Sequence, residues 1–439
     1  MTRMDLRSLQ VRLKLPGKPL AQSNPNKSLK PSCKAQASAS LEMLAPQLRE
    51  GTGIRKGKLG ERWKEYQGSK NWEGLLDPLE ENMRNEILRY GAFVQAAYTS
   101  FNFDPSSPSY ASCKFSESSM LQLCGLPETG YRVTRNLHAT SGIRPPHFLT
   151  KRSSYIGYVA VCQDEEEITR LGRRDVVIAY RGTATCLEWL DNLRSMLTQI
   201  PNSTLECDMP QPKVESGFYS LYTSQDDTCP SLSEEVIDEV GKILRTSDST
   251  KPLSITITGH SLGAALAVLT ACDIRAAFPS SPISITVISF GGPRVGDRLF
   301  SQHLENQGIK ILRIVNTHDV VTRVPGIVID DTGVKGHAKL PKWLMTGLQG
   351  MPWVYAEVGQ ELRVSSEDSP YLNPNDFAMC HDLEAYLHLV DGFLSSACPF
   401  RATVKRDFLQ LLAAQATTVW CKVLPRYMSI LYRTMTAGR

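Results

Sequence analysis

The sequence predicts an α/β protein with a mostly parallel central sheet flanked by helices, and three features carry that expectation. Apolar runs such as "VVIAY" (176–180) and "ITVISF" (285–290) lack polar alternation, as strands covered on both faces require. Helical patterns separate the later runs, among them "SLSEEVIDEVGKILRT" (231–246), which opens on a capping-box spacing from Ser231 to Glu234, and "AALAVLTACDIRAAF" (264–278). Strand and helix in alternation imply right-handed crossovers and a parallel sheet. Third, "SITITGHSLGAALAVLTA" (254–271) sets one serine, Ser261, between two glycines where an alternating run turns helical.

In chain order, residues 1–40 come first. Eight basic residues there face one acid, Asp5, so this segment carries +7 of a formal net charge of +4 and leaves the rest mildly acidic. An acidic body argues against nucleic-acid binding. The same segment is rich in Ser, Pro, Ala and Lys, the composition of an organelle transit peptide, and "LQVRLKLPG" is broken by charge before a secretory apolar core forms. A polar Gly- and Lys-rich link (48–61) follows, so residues 1–61 are expected to be transit peptide and flexible linker, with the folded unit starting near Arg62. "DPLEENMRNEILRYGAFVQAAYTSF" predicts an amphipathic helix from Pro78 to Phe101, with Asp77 as N-cap and Leu79, Met83, Ile87, Val94 and Tyr98 near one stripe.

Strands are expected at "YRVTRNL", "YIGYVAVC", "DVVIAYRG", "LSITITGH", "PISITVISFGG" and "IKILRIVNTHD", and the charged connector "QDEEEITRLGRR" (163–174) suits an antiparallel pair at one end of the sheet. The eleven cysteines show no C-x-x-C pair or Cys/His metal spacing, so no structural metal and no cofactor is expected. No stretch approaches the ~18 apolar residues of a membrane helix, and any lipid contact is expected to be peripheral.

A strand ending at Thr258 and a helix starting near Leu262 leave only a tight turn for Ser261. Such a turn holds the serine in a strained conformation with its hydroxyl above the strand ends, while a Cβ on either flank would strike the neighbouring strand or helix. Gly259 and Gly263 therefore read as the G-x-S-x-G nucleophile elbow. A serine hydroxyl needs a base to take its proton and an acid to orient that base. In this architecture both follow the serine, acid first. Asp319 stands at the end of the strand in "KILRIVNTHD" and is the expected acid; Asp297 competes but sits where a helix would use an N-cap. His381, at a loop-to-helix junction after "SPYLNPNDFAM", is the expected base, with His388 read as a satisfied histidine within the helix and His260 as packing. An oxyanion hole is expected from the backbone N–H of Leu262 and from Thr183, in the "YRGT" turn after an earlier strand.

With these residues in place, "GHSLGAALA", "YRGT", "VESGFYSLY", "FGGPRVGD", "VNTHDVV" and "CHDLEAYLHLVDGF" resemble the plant class I phospholipase A1 family within the class 3 lipases, and "NWEGLLDPL" is similar to the plant branch. The resemblance covers residues 62–407; it implies an α/β-hydrolase fold and metal-free hydrolysis of the sn-1 acyl ester of membrane glycerolipids. It also implies Ser261 as nucleophile, Asp319 and His381 as its partners, Thr183 with Leu262 as the oxyanion hole, and plastid delivery. Thr322 stands where proline is common in the family, and Tyr180 where Phe or Trp often precedes "RGT". Residues 408–439 do not resemble the family's C-terminal extension; their apolar residues, Leu409, Leu412, Val419 and Leu431 among them, fit a helix on the body or on a membrane surface. Two rival readings share these motifs, a non-lipid esterase or thioesterase and a catalytically silent hydrolase-fold scaffold.

Residues 184–200, directly after the oxyanion turn, carry Leu187, Trp189, Leu190, Leu193 and Met196 among Glu188, Asp191 and Arg194. That pattern fits a mobile amphipathic lid that meets lipid when open, and equally an ordinary surface helix with its stripe on the core. The stretch "LPKWLMTGLQGMPWVY" (340–355) is a second candidate for acyl contact. If the lid reading holds, Trp189→Ser lowers activity on aggregated lipid more than on a short soluble ester. Equal losses on the two substrates would remove it.

Overall fold

The six expected strands and a seventh that the sequence pattern does not show, Gln360–Val364, pair into one sheet whose strand order follows the chain. In the computed structural model these are β1 (Tyr131–Thr140), β2 (Ser153–Cys162), β3 (Arg174–Tyr180), β4 (Leu253–His260), β5 (Ser284–Phe290), β6 (Lys310–Asn316) and β7 (Gln360–Val364). The structure describes residues 58–392, apart from residues 105, 141–152, 184–195, 201–210, 227–228, 248–250, 331–332, 335–350 and 352. The expected lid residues Leu187, Trp189, Leu190 and Leu193 lie outside the described residues, as do residues 1–57 and 393–439.

The first two pairings are antiparallel and the remaining four parallel, so the chain makes a meander at one edge and then winds strand by strand toward the other. Side chains alternate between faces along each strand. Val176, Ile178 and Tyr180 pack on one side with Ile255, Ile257 and the helices α3 (Ser216–Thr223), α4 (Leu232–Thr246), α5 (Leu262–Ala277) and α6 (Arg298–Asn306). Val177 and Ala179 face the other side with Phe290, Ile314 and the helices α1 (Glu81–Ser100) and α7 (Leu383–Asp391). Three layers result, with the sheet buried between the helices.

Local chemistry sets the element ends. Ser231 caps α4 with the full reciprocal box expected from its spacing to Glu234. Asp297 caps α6, accepting from Phe300 N–H at 2.8 Å. Helix α1 departs from expectation at its start: Glu80, not Asp77, is the N-cap, its carboxylate accepting from Met83 N–H at 2.9 Å. Leu76 bridges to Leu79 in a turn, and Pro78 lies within that turn, ahead of the helix and not at its first position. The charged connector between β2 and β3 joins an antiparallel pair as expected and holds the short helix α2 (Glu165–Leu171), capped by Asp164 at one end and by left-handed Gly172 at the other. At the tail of the expected lid, Leu197–Gln199 forms a strand antiparallel to Lys213–Glu215, not helix. Among the described residues no helix is long and apolar enough to cross a membrane.

At the N-terminal ends of the parallel strands lies a buried charged network. Asp175, at the start of β3, accepts from Ser254 (2.6 Å), Tyr90 (3.0 Å) and Tyr131 (2.8 Å) hydroxyls, and Arg173 donates to Tyr90 (3.0 Å) and Ser254 (2.8 Å). Both charged side chains are 0% exposed. Tyr90 comes from α1, so the network clamps that helix to the sheet. Removing one partner from a buried charge pair strands the other, at a cost of about 3–5 kcal/mol. Asp175→Ala should therefore lower the urea midpoint by that equivalent at an unchanged m-value, whereas a change of under about 1 kcal/mol would show the cluster to be dispensable.

Candidate active site

The site stands at the opposite, C-terminal ends of the strands, and it starts from a one-residue turn. β4 ends at His260 and α5 begins at Leu262, so Ser261 alone reverses the chain, at φ 58° and ψ −125°. A non-glycine residue at positive φ costs on the order of 1–3 kcal/mol and persists only where its surroundings enforce it. Here Ser261 N–H donates to Phe290 C=O at 3.0 Å, and its own C=O accepts from Ala264 N–H at 3.0 Å. The flanking glycines allow the approach: a Cβ on Gly259 would sit 2.3 Å from Gly263 O, and one on Gly263 would sit 2.6 Å from Arg181 O. The serine side chain is thereby pushed out of the strand direction, and Ser261 is 3% exposed.

His381 ends a single turn, Phe377–Cys380, and precedes α7, whose N-cap is Asp382. Its Nε2 lies 2.9 Å from Ser261 Oγ and its Nδ1 2.7 Å from Asp319 Oδ2. A carboxylate oxygen accepts, so Nδ1 carries the ring proton and Nε2 is left to accept from the serine hydroxyl. The structure brings these three sequence-designated side chains into one chain of hydrogen bonds.

Asp319 is fully buried just past β6 and is held on every side. Its Oδ1 accepts from Val321 N–H at 2.8 Å, and its Oδ2 also accepts from the Tyr386 hydroxyl at 2.6 Å. The Thr322 hydroxyl donates to the Asp319 backbone carbonyl at 2.9 Å, giving the residue that replaces the family's usual proline a positioning contact. Burial pushes the Tyr386 hydroxyl well above its ordinary pKa and the neighbouring Asp319 adds to the rise, so it remains a donor. Asn316 ties the strand end to the base-bearing segment, its amide donating to Ser366 Oγ (2.7 Å) and Cys380 C=O (2.8 Å). At Gly291, with φ 55°, a Cβ would lie 3.0 Å from both Asp319 Oδ2 and the Tyr386 ring, so "FGG" gives the carboxylate its room.

The "RGT" turn lies beside the elbow because β3 and β4 run parallel with Tyr180 opposite Gly259. Arg181 is buried beneath it, donating to Gly182 C=O at 2.7 Å and Tyr155 C=O at 2.9 Å with its guanidinium 3.8 Å from the Phe101 ring centre. Burial pulls this arginine down to about 10. Thr183 Oγ1 is buried with no hydrogen-bond partner among the described residues, and Leu262 heads α5, where the first N–H groups have no intrahelical acceptor. Unspent donors thus stand on the two elements that meet at Ser261, where the helix dipole also favours negative charge.

The other sequence candidates go elsewhere. His388 is half-buried on α7, bonded to Ser369 Oγ at 2.9 Å, and burial lowers its pKa. Asp297 serves as a cap. Of the stretch 340–355 only residues 351 and 353–355 are described, with Val354–Tyr355 in a short strand and Trp353 partly exposed. Sequence reasoning missed Asn316, Tyr386 and Tyr98. Tyr386 sits one helical turn past Asp382 in the same segment as His381, a spacing that signals proximity, but nothing local signals the contacts of Asn316 or Tyr98. His260, read as packing, is hydrogen-bonded at both ring nitrogens, to Tyr98 Oη (2.8 Å) and His381 C=O (2.7 Å).

Removing the Tyr386 hydroxyl deletes a charge-assisted hydrogen bond to a buried carboxylate, worth about 1.5–3 kcal/mol. Tyr386→Phe should destabilise the fold by that amount in urea titration and slow the reaction of Ser261 with a fluorophosphonate. Unchanged stability and labelling rate would show that Asp319 does not need this donor.

Comparison with known proteins places the chain in a family. The model of the family described as lipase (class 3) matches residues 177–329, which contain Ser261 and Asp319. The chain is 57% identical over 364 residues to the chloroplastic phospholipase A(1) DAD1 of Arabidopsis thaliana, covering 80% of each chain. It is 40% identical over 371 residues to phospholipase A1-Igamma2 of the same plant, covering 80% of this chain and 69% of that one. To the galactolipase DONGLE, also from Arabidopsis thaliana, it is 37% identical over 346 residues, with 75% and 69% covered. A solved lipase–propeptide complex from Rhizomucor miehei matches at a TM-score of 0.40 and 19% identity, over 65% of this chain and 68% of that one. On the strength of the plant relatives, the chain belongs to the chloroplastic phospholipase A1 family of class 3 lipases.

Proposed function

We propose that the protein is a serine acyl hydrolase that cleaves the sn-1 acyl ester of membrane glycerolipids, phospholipids and galactolipids alike, to release a fatty acid and a lysolipid. The observation that carries this reading is the chain Ser261 Oγ, His381 Nε2, His381 Nδ1, Asp319 Oδ2, with links of 2.9 and 2.7 Å. Ser261 Oγ attacks the ester carbonyl and its proton passes to Nε2 of His381, while Asp319 holds the imidazolium that forms. The oxyanion is met by the N–H groups of Leu262 and Thr183, with the Thr183 hydroxyl as a third donor. As the intermediate collapses, the C–O bond to the lysolipid breaks and its alkoxide takes the proton from His381. Water then attacks the acyl-serine by the same proton route, freeing the fatty acid and restoring Ser261. No metal or organic cofactor enters this scheme.

The lipid class rests on the relatives, named as phospholipases A1 and as a galactolipase. Membrane contact is peripheral in this reading, through the segment 184–200 that follows the oxyanion turn. Residues 62–407 are assigned in this reading to the hydrolase domain and residues 408–439 to a C-terminal segment divergent in sequence. The basic, Ser- and Pro-rich segment within residues 1–61 directs the protein to the plastid, in keeping with the chloroplastic names of its relatives.

Wild-type protein should react with a fluorophosphonate, and Ser261→Ala should abolish both that labelling and fatty-acid release, a loss of about 10⁶-fold in kcat. Galactolipid and phosphatidylcholine carrying a labelled sn-1 chain should yield labelled fatty acid. Labelled lysolipid with unlabelled acid would move the cleavage to sn-2, and hydrolysis of soluble esters alone would replace the lipid reading with that of a general esterase.

A further inference from the structure

Four groups behind Ser261 form a second hydrogen-bonded chain that the hydrolytic scheme does not use. His260 Nε2 lies 2.7 Å from the backbone carbonyl of His381, and a carbonyl oxygen can only accept, so Nε2 carries a proton. In the neutral ring Nδ1 is then an acceptor, and the Tyr98 hydroxyl 2.8 Å away donates to it. That leaves the Tyr98 oxygen lone pairs for Gly182 N–H, which donates to it at 2.8 Å. Every donor in the series has an acceptor and the direction is uniform: Gly182 N–H to Tyr98, Tyr98 O–H to His260, His260 N–H to His381.

The series joins the two pieces of the site that strand β4 does not itself carry. At one end is Gly182, whose N–H, in the peptide before it, is held by Tyr98 and whose C=O, in the peptide after it, is taken by Arg181 at 2.7 Å. Both peptides flanking Gly182 are thereby tied, and the second carries the N–H of Thr183, which points opposite to the held C=O. Space is equally tight there, since a Cβ on Gly182 would lie 2.4 Å from Tyr98 Oη and 3.0 Å from Ser261 Cβ. At the other end is the backbone of the base. His260 also packs against the His381 ring, with centroids 4.8 Å apart and a tilt of 35°. Tyr98 rises from α1, and His260 is the last residue of β4, next to Ser261.

We infer that Tyr98 and His260 are positioning residues, a polar brace that fixes the oxyanion turn relative to His381 so that donor and base address Ser261 together. The inference rests on the acyl-hydrolase reading and adds two residues to it that touch neither the ester nor the nucleophile's proton. A displacement of about 1 Å in a catalytic group costs on the order of 10²-fold in rate, and substrate held by other contacts keeps its KM.

The test uses the full chain, a short-chain soluble ester, and a fluorophosphonate to count reactive sites, so that unfolded protein does not enter kcat. Tyr98→Phe removes one hydroxyl from an otherwise unchanged ring. It should lower kcat per titrated site by about 10- to 100-fold with KM within about two-fold. His260→Gln retains an amide N–H for the His381 carbonyl and should keep at least about ten-fold more kcat per site than His260→Leu, which retains none. Because one brace is cut in either case, Tyr98→Phe should cost little more when added to His260→Leu. A kcat per site within two-fold of wild type in Tyr98→Phe overturns the inference, as do equal values for the Gln and Leu variants or losses that simply multiply. Failure of the hydrolase reading itself would look different: wild type would not label, or Ser261→Ala would label as well.

Discussion

The one-residue reversal at Ser261 is the constraint from which most of the structure follows. To turn from strand to helix within a single residue, the backbone accepts φ 58° and brings Gly259 against the first turn of α5. The helix cannot stand off from the sheet after such a turn. It lies across β4 and its neighbours β3 and β5, with every residue from Leu262 to Ala271 buried, so its sequence must be apolar and small around the whole circumference. "LGAALAVLTA" is that sequence, and its alanines let the helix approach closely. The strain at Ser261 is held by bonds on both sides, from Phe290 of β5 and from Ala264 of α5. Parallel pairing of β3, β4 and β5 is what sets those partners at one level.

Nothing in the elbow dictates where Asp319 and His381 come from, and they arrive on segments more than fifty residues away. Here the polar interior does the positioning. Asp319 is fully buried with both oxygens satisfied, and its neighbours Asn316, Thr322 and Tyr386 bind backbone groups as well as side chains. A loop anchored through its main chain resists the side-chain rearrangements that a single contact would permit. The same device recurs on the other side of Ser261, where Arg181 spends its donors on the carbonyls of Tyr155 and Gly182. The site is therefore rigid in its frame although it is built from loops.

Much of the fold was legible because each element carries its own local signal. Apolar runs marked the parallel strands β3 to β6 but not β7, whose half-exposed QELRV carries no such run; reciprocal capping marked the start of α4, and the spacing of Gly259, Ser261 and Gly263 between a strand pattern and a helix pattern marked the elbow. The start of α1 was misread. Asp77 and Pro78 form a sound N-terminal pair by propensity, yet the cap is Glu80, because tertiary placement of Leu76 and Leu79 shifted the helix start. At the site, Asp319 and His381 were readable because the need of Ser261 for an acid and then a base restricts the search to residues after the serine, at a strand end and at a loop-to-helix junction. Tyr98 and Asn316 were not, since a tyrosine on an amphipathic helix and an asparagine ending a strand give no sign of contacts 162 and 64 residues away.

The two ends of the sheet divide the work. Around the N-terminal ends of β3 and β4, Asp175, Arg173, Tyr90 and Thr256 form a closed polar cluster in which charge is paired and hydroxyls are shared. At the C-terminal ends the polar groups are also buried, but some are left unspent: the Thr183 hydroxyl has no partner among the described residues, and Ser261 is held at an unfavourable φ. Unsatisfied donors and strained backbone each cost stability, so a fold that keeps them needs surplus elsewhere. Both ends are spanned by α1, which supplies Tyr90 to the first cluster and Tyr98 to the second, eight residues further along the helix. A shift of that helix would disturb both at once. The clamp at Asp175 is thus part of what holds the Tyr98 hydroxyl within 2.8 Å of Gly182 N–H, and the stability of one end becomes the geometric precision of the other.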